Sequence, residues 1–205
     1  MKITNIVAQK DKNRVNIYVD GLFSIGIGEE ISYKYDLHLG MEVDDDFIKE
    51  LLQAEEQNRA LNQALNYLSY RQRSEREVYQ ALKRKGFESF YIDKAIEYCK
   101  KNKYIDDRSF AESYVKDKVN LSKLGSERIK YELRLKGISN DIIDKVLVID
   151  KSDQYEAALE LARKRMDSYK GDSNNAIYRK LGGYLQRRGY PYETISKVLR
   201  EVLKD

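Results

Sequence analysis

Two hydrophobic periods divide the chain. In "RVNIYVDGLFSIGI", residues 14–27, Val15, Ile17 and Val19 alternate with polar positions, and Phe23, Ile25 and Ile27 resume the alternation. A period of two places each set on one face of a strand. Asp20-Gly21 separates the runs, and a two-residue turn of that composition accepts the positive φ angles of a type I′ hairpin. "KITNIV" at 2–7 predicts a third strand, and a short helix is expected near 29–36. Gly40 then breaks the chain. Asp44, Asp45 and Asp46 open a long helix through "FIKELLQAEEQNRALNQALNYLSY". Aspartates there suit the positive end of a helix better than a metal cluster.

Beyond residue 57 the spacing becomes helical. Three words, "KRKGF", "RLKGI" and "QRRGY", place Gly86, Gly137 and Gly189 at intervals of 51 and 52 residues. Eight residues before these glycines stand Val78, Ile129 and Leu181, and four before them Leu82, Leu133 and Leu185. Six after come Ile92, Ile143 and Ile195. Nine and ten after come Ala95-Ile96, Val146-Leu147 and Val198-Leu199. Steps of four on both sides of a glycine predict two amphipathic helices joined by a tight turn. A left-handed residue that ends a helix favours glycine, because a Cβ is penalised there. In that arrangement Phe87 packs on Leu82, Ile138 on Leu133 and Tyr190 on Leu185.

Start signals complete the units. Ser74-Glu75-Arg76-Glu77 reads as a capping box, and Ser139 and Pro191 open the helices after the second and third turns. A further helix precedes each pair, at 58–71, 108–120 and 154–168. The expected fold is mainly α: three tandem three-helix repeats at 58–107, 108–153 and 154–205. An N-terminal extension containing a β-hairpin occupies 1–57. A core this small gains from stacked neighbours.

Charge sharpens the division. Residues 1–56 hold 6 Lys/Arg against 12 Asp/Glu, a net of −6, and the remainder holds 32 against 22, a net of +10. A basic body points to an anionic partner, although solvated lysine-rich helices that bind nothing have the same composition. The N-terminus lacks the apolar core of a secretion signal and no long apolar run occurs, so a cytoplasmic protein with no membrane contact is expected. The single cysteine, Cys99, lies among core-like residues and reads as a buried, inert thiol.

Catalytic patterns are poor. His38 is the only histidine and sits at an expected helix end. No Cys/His spacing suits zinc and no phosphate-binding GxxxxGK[ST] loop occurs. Asp106-Asp107 reads as a helix cap before Arg108. A non-enzymatic binding protein without cofactors is expected.

The middle helix of each repeat carries the better lead. With Val78 and Leu82 facing inward, a rotation of about 100° per residue turns Arg73, Arg76, Lys83 and Arg84 outward. The corresponding outward set is Arg128, Lys130, Tyr131 and Arg134 in the second repeat, and Arg179, Lys180 and Arg187 in the third. Arg71 and Lys123 lie in the preceding loops. Such cations can track a phosphate backbone, with Tyr131 or Tyr70 stacking on a base. Sequence-specific major-groove reading is disfavoured, because Asp93 and Glu97 occupy the helix after the first turn.

The stretches "YIDDRSFAESYV" at 104–115, "KLGSERIKYELRLKGIS" at 123–139 and "LSYRQRSEREVYQALKRKGF" at 68–87 resemble the RecX family, regulators of the RecA recombinase. The similarity covers roughly 60–205, and residues 1–57 resemble the β-containing extension of some members. The resemblance implies tandem three-helix units without catalytic activity. It implies binding to RecA and its single-stranded DNA filament, and restraint of ATP hydrolysis and strand exchange during DNA repair and recombination. Some members of the family bind DNA directly, so double-stranded DNA is a further candidate, and a monomer is expected. Two alternatives stay open: a general DNA-binding protein without a recombinase partner, and a helical-repeat adaptor for another protein.

Overall fold

The computed structural model describes residues 1–10 and 13–204. Strands β1 (Ile3–Ala8), β2 (Arg14–Val19) and β3 (Leu22–Gly28) form an antiparallel sheet in the order β1-β2-β3. Asp20 and Gly21 take φ of 49° and 84°, so the β2–β3 turn has the two left-handed residues that its sequence predicts. The short helix α1 (Glu29–Lys34) follows, then α2 (Asp45–Ser69), 25 residues long and capped by the Asp44 carboxylate, which accepts from the Phe47 amide at 2.7 Å. The alternating residues Ile17, Val19, Ile25 and Ile27 are buried with Ile3, Ile31, Val43 and Leu51.

Eight further α-helices follow among the described residues: α3 (Glu75–Arg84), α4 (Ser89–Lys101), α5 (Asp107–Asn120), α6 (Ser126–Leu135), α7 (Asn140–Val146), α8 (Lys151–Met166), α9 (Asn174–Arg187) and α10 (Tyr192–Val202). They divide into three helix triplets, the first using the C-terminal half of α2. Each triplet has its own core: Ala60, Val78, Leu82, Ile92 and Cys99 in the first, Phe110, Ile129, Leu133 and Ile143 in the second, Leu181, Leu185, Ile195 and Leu199 in the third. By contacts the chain forms two compact units, one of Met1–Gln72 with Val78–Ile105, the other of Arg73–Glu77 with Asp106 onward.

The three recurrent glycines end their helices as the spacing predicts. Gly86, Gly137 and Gly189 have φ of 91°, 85° and 84°. The amides of Phe87, Ile138 and Tyr190 reach back to the carbonyls of Leu82, Leu133 and Leu185 at 3.4, 3.1 and 3.2 Å. The glycine amides bond to Lys83, Arg134 and Gln186 at 2.9–3.0 Å, completing the Schellman pattern.

One expectation needs adjustment. Position 57/58, placed between the extension and the first repeat, falls inside α2, because nothing from Asp45 to Ser69 breaks the helix. Val146 and Leu147, nine and ten residues after the second glycine, pack against the second core but are only half-buried, unlike their counterparts in the other two repeats. The α7 helix is seven residues long, and Leu147 is already its C-cap.

One carboxylate ties sheet to helix in the first unit. Glu55 on α2 is 4% exposed, accepts from the Gly28 amide at 2.8 Å and lies 2.7 Å from Arg14 Nη1. A buried carboxylate of this kind is costly unless paired, so Arg14 and Gly28 fix the register between β2, β3 and α2.

Candidate basic interface

The middle helices bury the expected stripe and turn the opposite face outward. On α3, Arg76, Lys83 and Arg84 are exposed, and Arg73, just before the helix, is half-buried. Arg84 Nε bonds to the Gln80 carbonyl of its own helix at 3.2 Å. Arg71, in the loop before α3, is exposed and donates to the Gln72 carbonyl at 2.8 Å.

On α6 the cations have acquired partners. Arg128 Nε meets Glu132 Oε1 at 2.7 Å, with its guanidinium 5.7 Å from the Tyr131 ring centre. Lys130 reaches Asp144 at 3.0 Å, and Arg134 meets the neutral Asn140 side chain at 3.0 Å. Tyr131 is 52% exposed and remains available for stacking. Lys123, before α6, is half-buried and paired with Glu160. Hydrogen bonds from Lys123 and Lys164 hold the Glu160 carboxyl down at about 2.

On α9, Lys180 pairs with Asp172 at 2.7 Å, whereas Arg179 and Arg187 are exposed. Among the described residues Arg76, Lys83, Arg84, Arg134, Arg179 and Arg187 therefore have no carboxylate partner, while Lys123, Arg128, Lys130 and Lys180 do. The unpaired group projects the net positive field, because a neighbouring carboxylate cancels a cation at any distance beyond a few ångströms.

Several contributors escape the sequence pattern. Tyr178 and Tyr192 are 46% and 79% exposed and border a groove of about 580 Å³ whose lining includes Gly182, Gly183 and Arg179. The adjacent glycines keep the floor low between two aromatic walls. No period marks this groove, since Tyr192 belongs to the following helix. Glu132 is the centre of a second cluster: Tyr114 donates to it at 2.6 Å, and Lys118 and Lys136 lie 5.1 and 5.3 Å from the Tyr114 ring centre. Burial raises the Tyr114 hydroxyl well above its ordinary value, and its bond to Glu132 adds to that. Burial would raise Glu132 too, but hydrogen bonds from Tyr114 and Arg128 outweigh it and hold the carboxyl below the usual range.

The residues weighed and set aside as chemistry have structural surroundings. Asp106 caps α5, accepting from Arg108 and Ser109 amides at 2.9 and 3.0 Å. Cys99 is buried, which pushes its thiol up and away from reactivity. His38 is exposed and its Nδ1 lies 2.8 Å from the Asp36 carbonyl.

Family models match the chain in four consecutive pieces. The regulatory protein RecX N-terminal domain matches residues 1–44, and the first, second and third three-helix domains of RecX match 60–99, 106–147 and 152–199. The regulatory protein RecX of Clostridioides difficile (strain 630) is 36% identical over 203 residues, covering 98% of this chain and 95% of the relative. That of Clostridium beijerinckii is 35% identical over 206 residues, covering 98% and 96%. A crystal structure of a regulatory protein RecX superimposes with a TM-score of 0.79 at 30% identity, covering 96% of this chain and 98% of the other. RecX from Lactobacillus salivarius gives 0.65 at 32% identity, covering 72% and 97%. With head and all three repeats matched in order, the chain belongs to the RecX family of regulatory proteins.

Proposed function

We propose that this protein is a non-enzymatic regulator that binds the RecA recombinase and its single-stranded DNA filament, restraining ATP hydrolysis, strand exchange and filament growth. The full-length match to RecX regulatory proteins, through every repeat, carries this reading. It acts in the cytoplasm as a monomer. The six cations without carboxylate partners supply long-range attraction to phosphate or to acidic protein surface. The Tyr178–Tyr192 groove supplies aromatic walls of the kind on which bases stack. Several weak contacts on a repeating filament add up to avidity that no single contact reaches.

The test is RecA ATPase activity on single-stranded DNA, with and without the protein. Inhibition at substoichiometric amounts supports regulation of the filament. Inhibition only at amounts that coat the DNA means simple competition, and no effect on RecA refutes the reading. Arg179→Glu with Arg187→Glu should weaken affinity for single-stranded DNA and reduce the dependence of log K on log salt by about 1–2. An unchanged salt slope would remove both arginines from the phosphate contact.

A further inference from the structure

The turn that ends a middle helix is used twice within the second unit as a docking element. In the first instance the Ser74 hydroxyl, at the start of α3, donates to the Lys136 carbonyl at 2.7 Å. Lys136 Nζ pairs with Glu77 at 2.7 Å. A Cβ on Gly137 would lie 2.7 Å from Arg76 Cβ. In the second instance the Gly125 amide, at the start of α6, donates to the Arg188 carbonyl at 2.9 Å, and Glu127 N donates to the Gly189 carbonyl at 3.0 Å. A Cβ on Gly189 would lie 2.2 Å from Arg128 Cβ. Both times the capping residue of a helix donates to the carbonyl just before the glycine, and the bare glycine lets the helix start close in. The physics is complementary: a helix start has spare N–H donors and positive potential, and a helix end has spare carbonyls and negative potential.

The third copy of the turn, Lys85-Gly86, has no such partner. A Cβ on Gly86 would meet nothing within 4 Å, and Lys83, Arg84, Lys85 and Gly86 are all exposed. The Lys85 and Gly86 carbonyls accept no hydrogen bond from the described residues. We propose that this turn is the docking seat for the start of a helix on a protein partner. That helix would be capped by Ser, Thr or Gly and would carry an acidic residue three positions later, as Ser74 and Glu77 do. The inference rests on the recombinase reading above and assigns a surface to that contact.

Two observations exclude other occupants. A phosphate satisfies the lysines but offers no donor to the carbonyls, and it meets the negative end of α3. A second copy of this chain would have to offer the start of α9, the one middle helix without a docked turn. That helix has 14 residues where α3 and α6 have 10, and its own extra turn fills the place. Twelve residues before its glycine stands Ile177, buried inside the helix, where the other two have Ser74 and Gly125.

Gly86→Asn is the test in the full-length protein. Asparagine tolerates the left-handed region but puts a side chain where the docked helix must sit. Affinity for the RecA filament on single-stranded DNA should fall about tenfold or more, with free-DNA affinity and the circular dichroism spectrum unchanged. Lys85→Glu, on an exposed site, should show the same loss if the asparagine variant folds poorly. Benzophenone attached through Lys85→Cys should crosslink to the first turn of a recombinase helix, since Cys99 is buried. Inhibition by folded Gly86→Asn and Lys85→Glu equal to wild type sinks the seat alone. Crosslinks confined to DNA or to mid-helix positions also sink it. A wild-type protein without effect on RecA sinks the functional reading and this inference together.

Discussion

Alanine at Gly86 and at Gly189 should have very different consequences, although the two glycines share a sequence word and nearly the same φ. At Gly86 the methyl group meets open space, so the cost is the left-handed penalty alone, about 1 kcal/mol. At Gly189 the same penalty applies, but the methyl carbon would stand 2.3 Å from the Arg128 backbone nitrogen, where only backbone movement makes room. Movement lengthens the bonds from Gly125 N and Glu127 N to the turn. Each is worth about 1 kcal/mol, and overpacking of this kind costs about 1–3 kcal/mol more. The total for Gly189→Ala is about 4–6 kcal/mol. Amide hydrogen exchange reads this locally. In Gly189→Ala the Gly125 and Glu127 amides should exchange faster by about two orders of magnitude or more. In Gly86→Ala they should exchange as in wild type. Equal protection losses in the two variants would refute the docking role of the glycine turn and leave only helix termination.

Other substitutions probe the same contacts. Ser74 is fully buried, accepts from the Glu77 amide at 3.2 Å and donates to Lys136, so Ser74→Ala should cost about 1–3 kcal/mol in urea denaturation, against about 1 for the exposed cap Ser139→Ala. Tyr190 donates to the Lys123 carbonyl at 2.8 Å, and burial pushes its hydroxyl up to about 12 from 10.0. Its contribution should be complete below pH 10 and drain away as pH rises towards about 12, and Tyr190→Phe should flatten that alkaline decline in thermal melts. Glu132 titrates in the opposite sense. Its folded value lies below the ordinary 4.5, so its contribution is present above that pH and is lost as pH falls through the folded value. Glu132→Gln should be less stable at neutral pH and show a shallower acid limb; identical pH profiles would refute the sign.

Local features were the legible ones. The Asp20-Gly21 hairpin, the Asp44, Asp106 and Ser139 caps and the three glycine turns are each specified within a few residues, and each is found. The second use of those glycines was not legible. Gly137 is seated on Arg76 and Gly189 on Arg128, and nothing in a local window connects residues so far apart in the chain. The cations divide the same way. Helical rotation correctly turned Lys130 and Lys180 away from their cores, but Asp144 and Asp172 come from outside those helices and take up the charge. Tyr178 and Tyr192 escaped because an exposed aromatic interrupts no period, and only folding brings Gly182 and Gly183 between them.

The unbroken run of α2 makes the acidic head an arm rather than a tethered bead. Glu55, the eleventh of its 25 residues, clamps the head to the N-terminal half, and the first repeat uses the C-terminal half of a helix about 37 Å long. Inserting one residue midway would swing the head through about 100° about the helix axis and advance it about 1.5 Å. Length changes in α2 are therefore tolerable only near whole turns, about 7, 11 or 18 residues, which makes this segment a ruler whose phase matters as much as its extent.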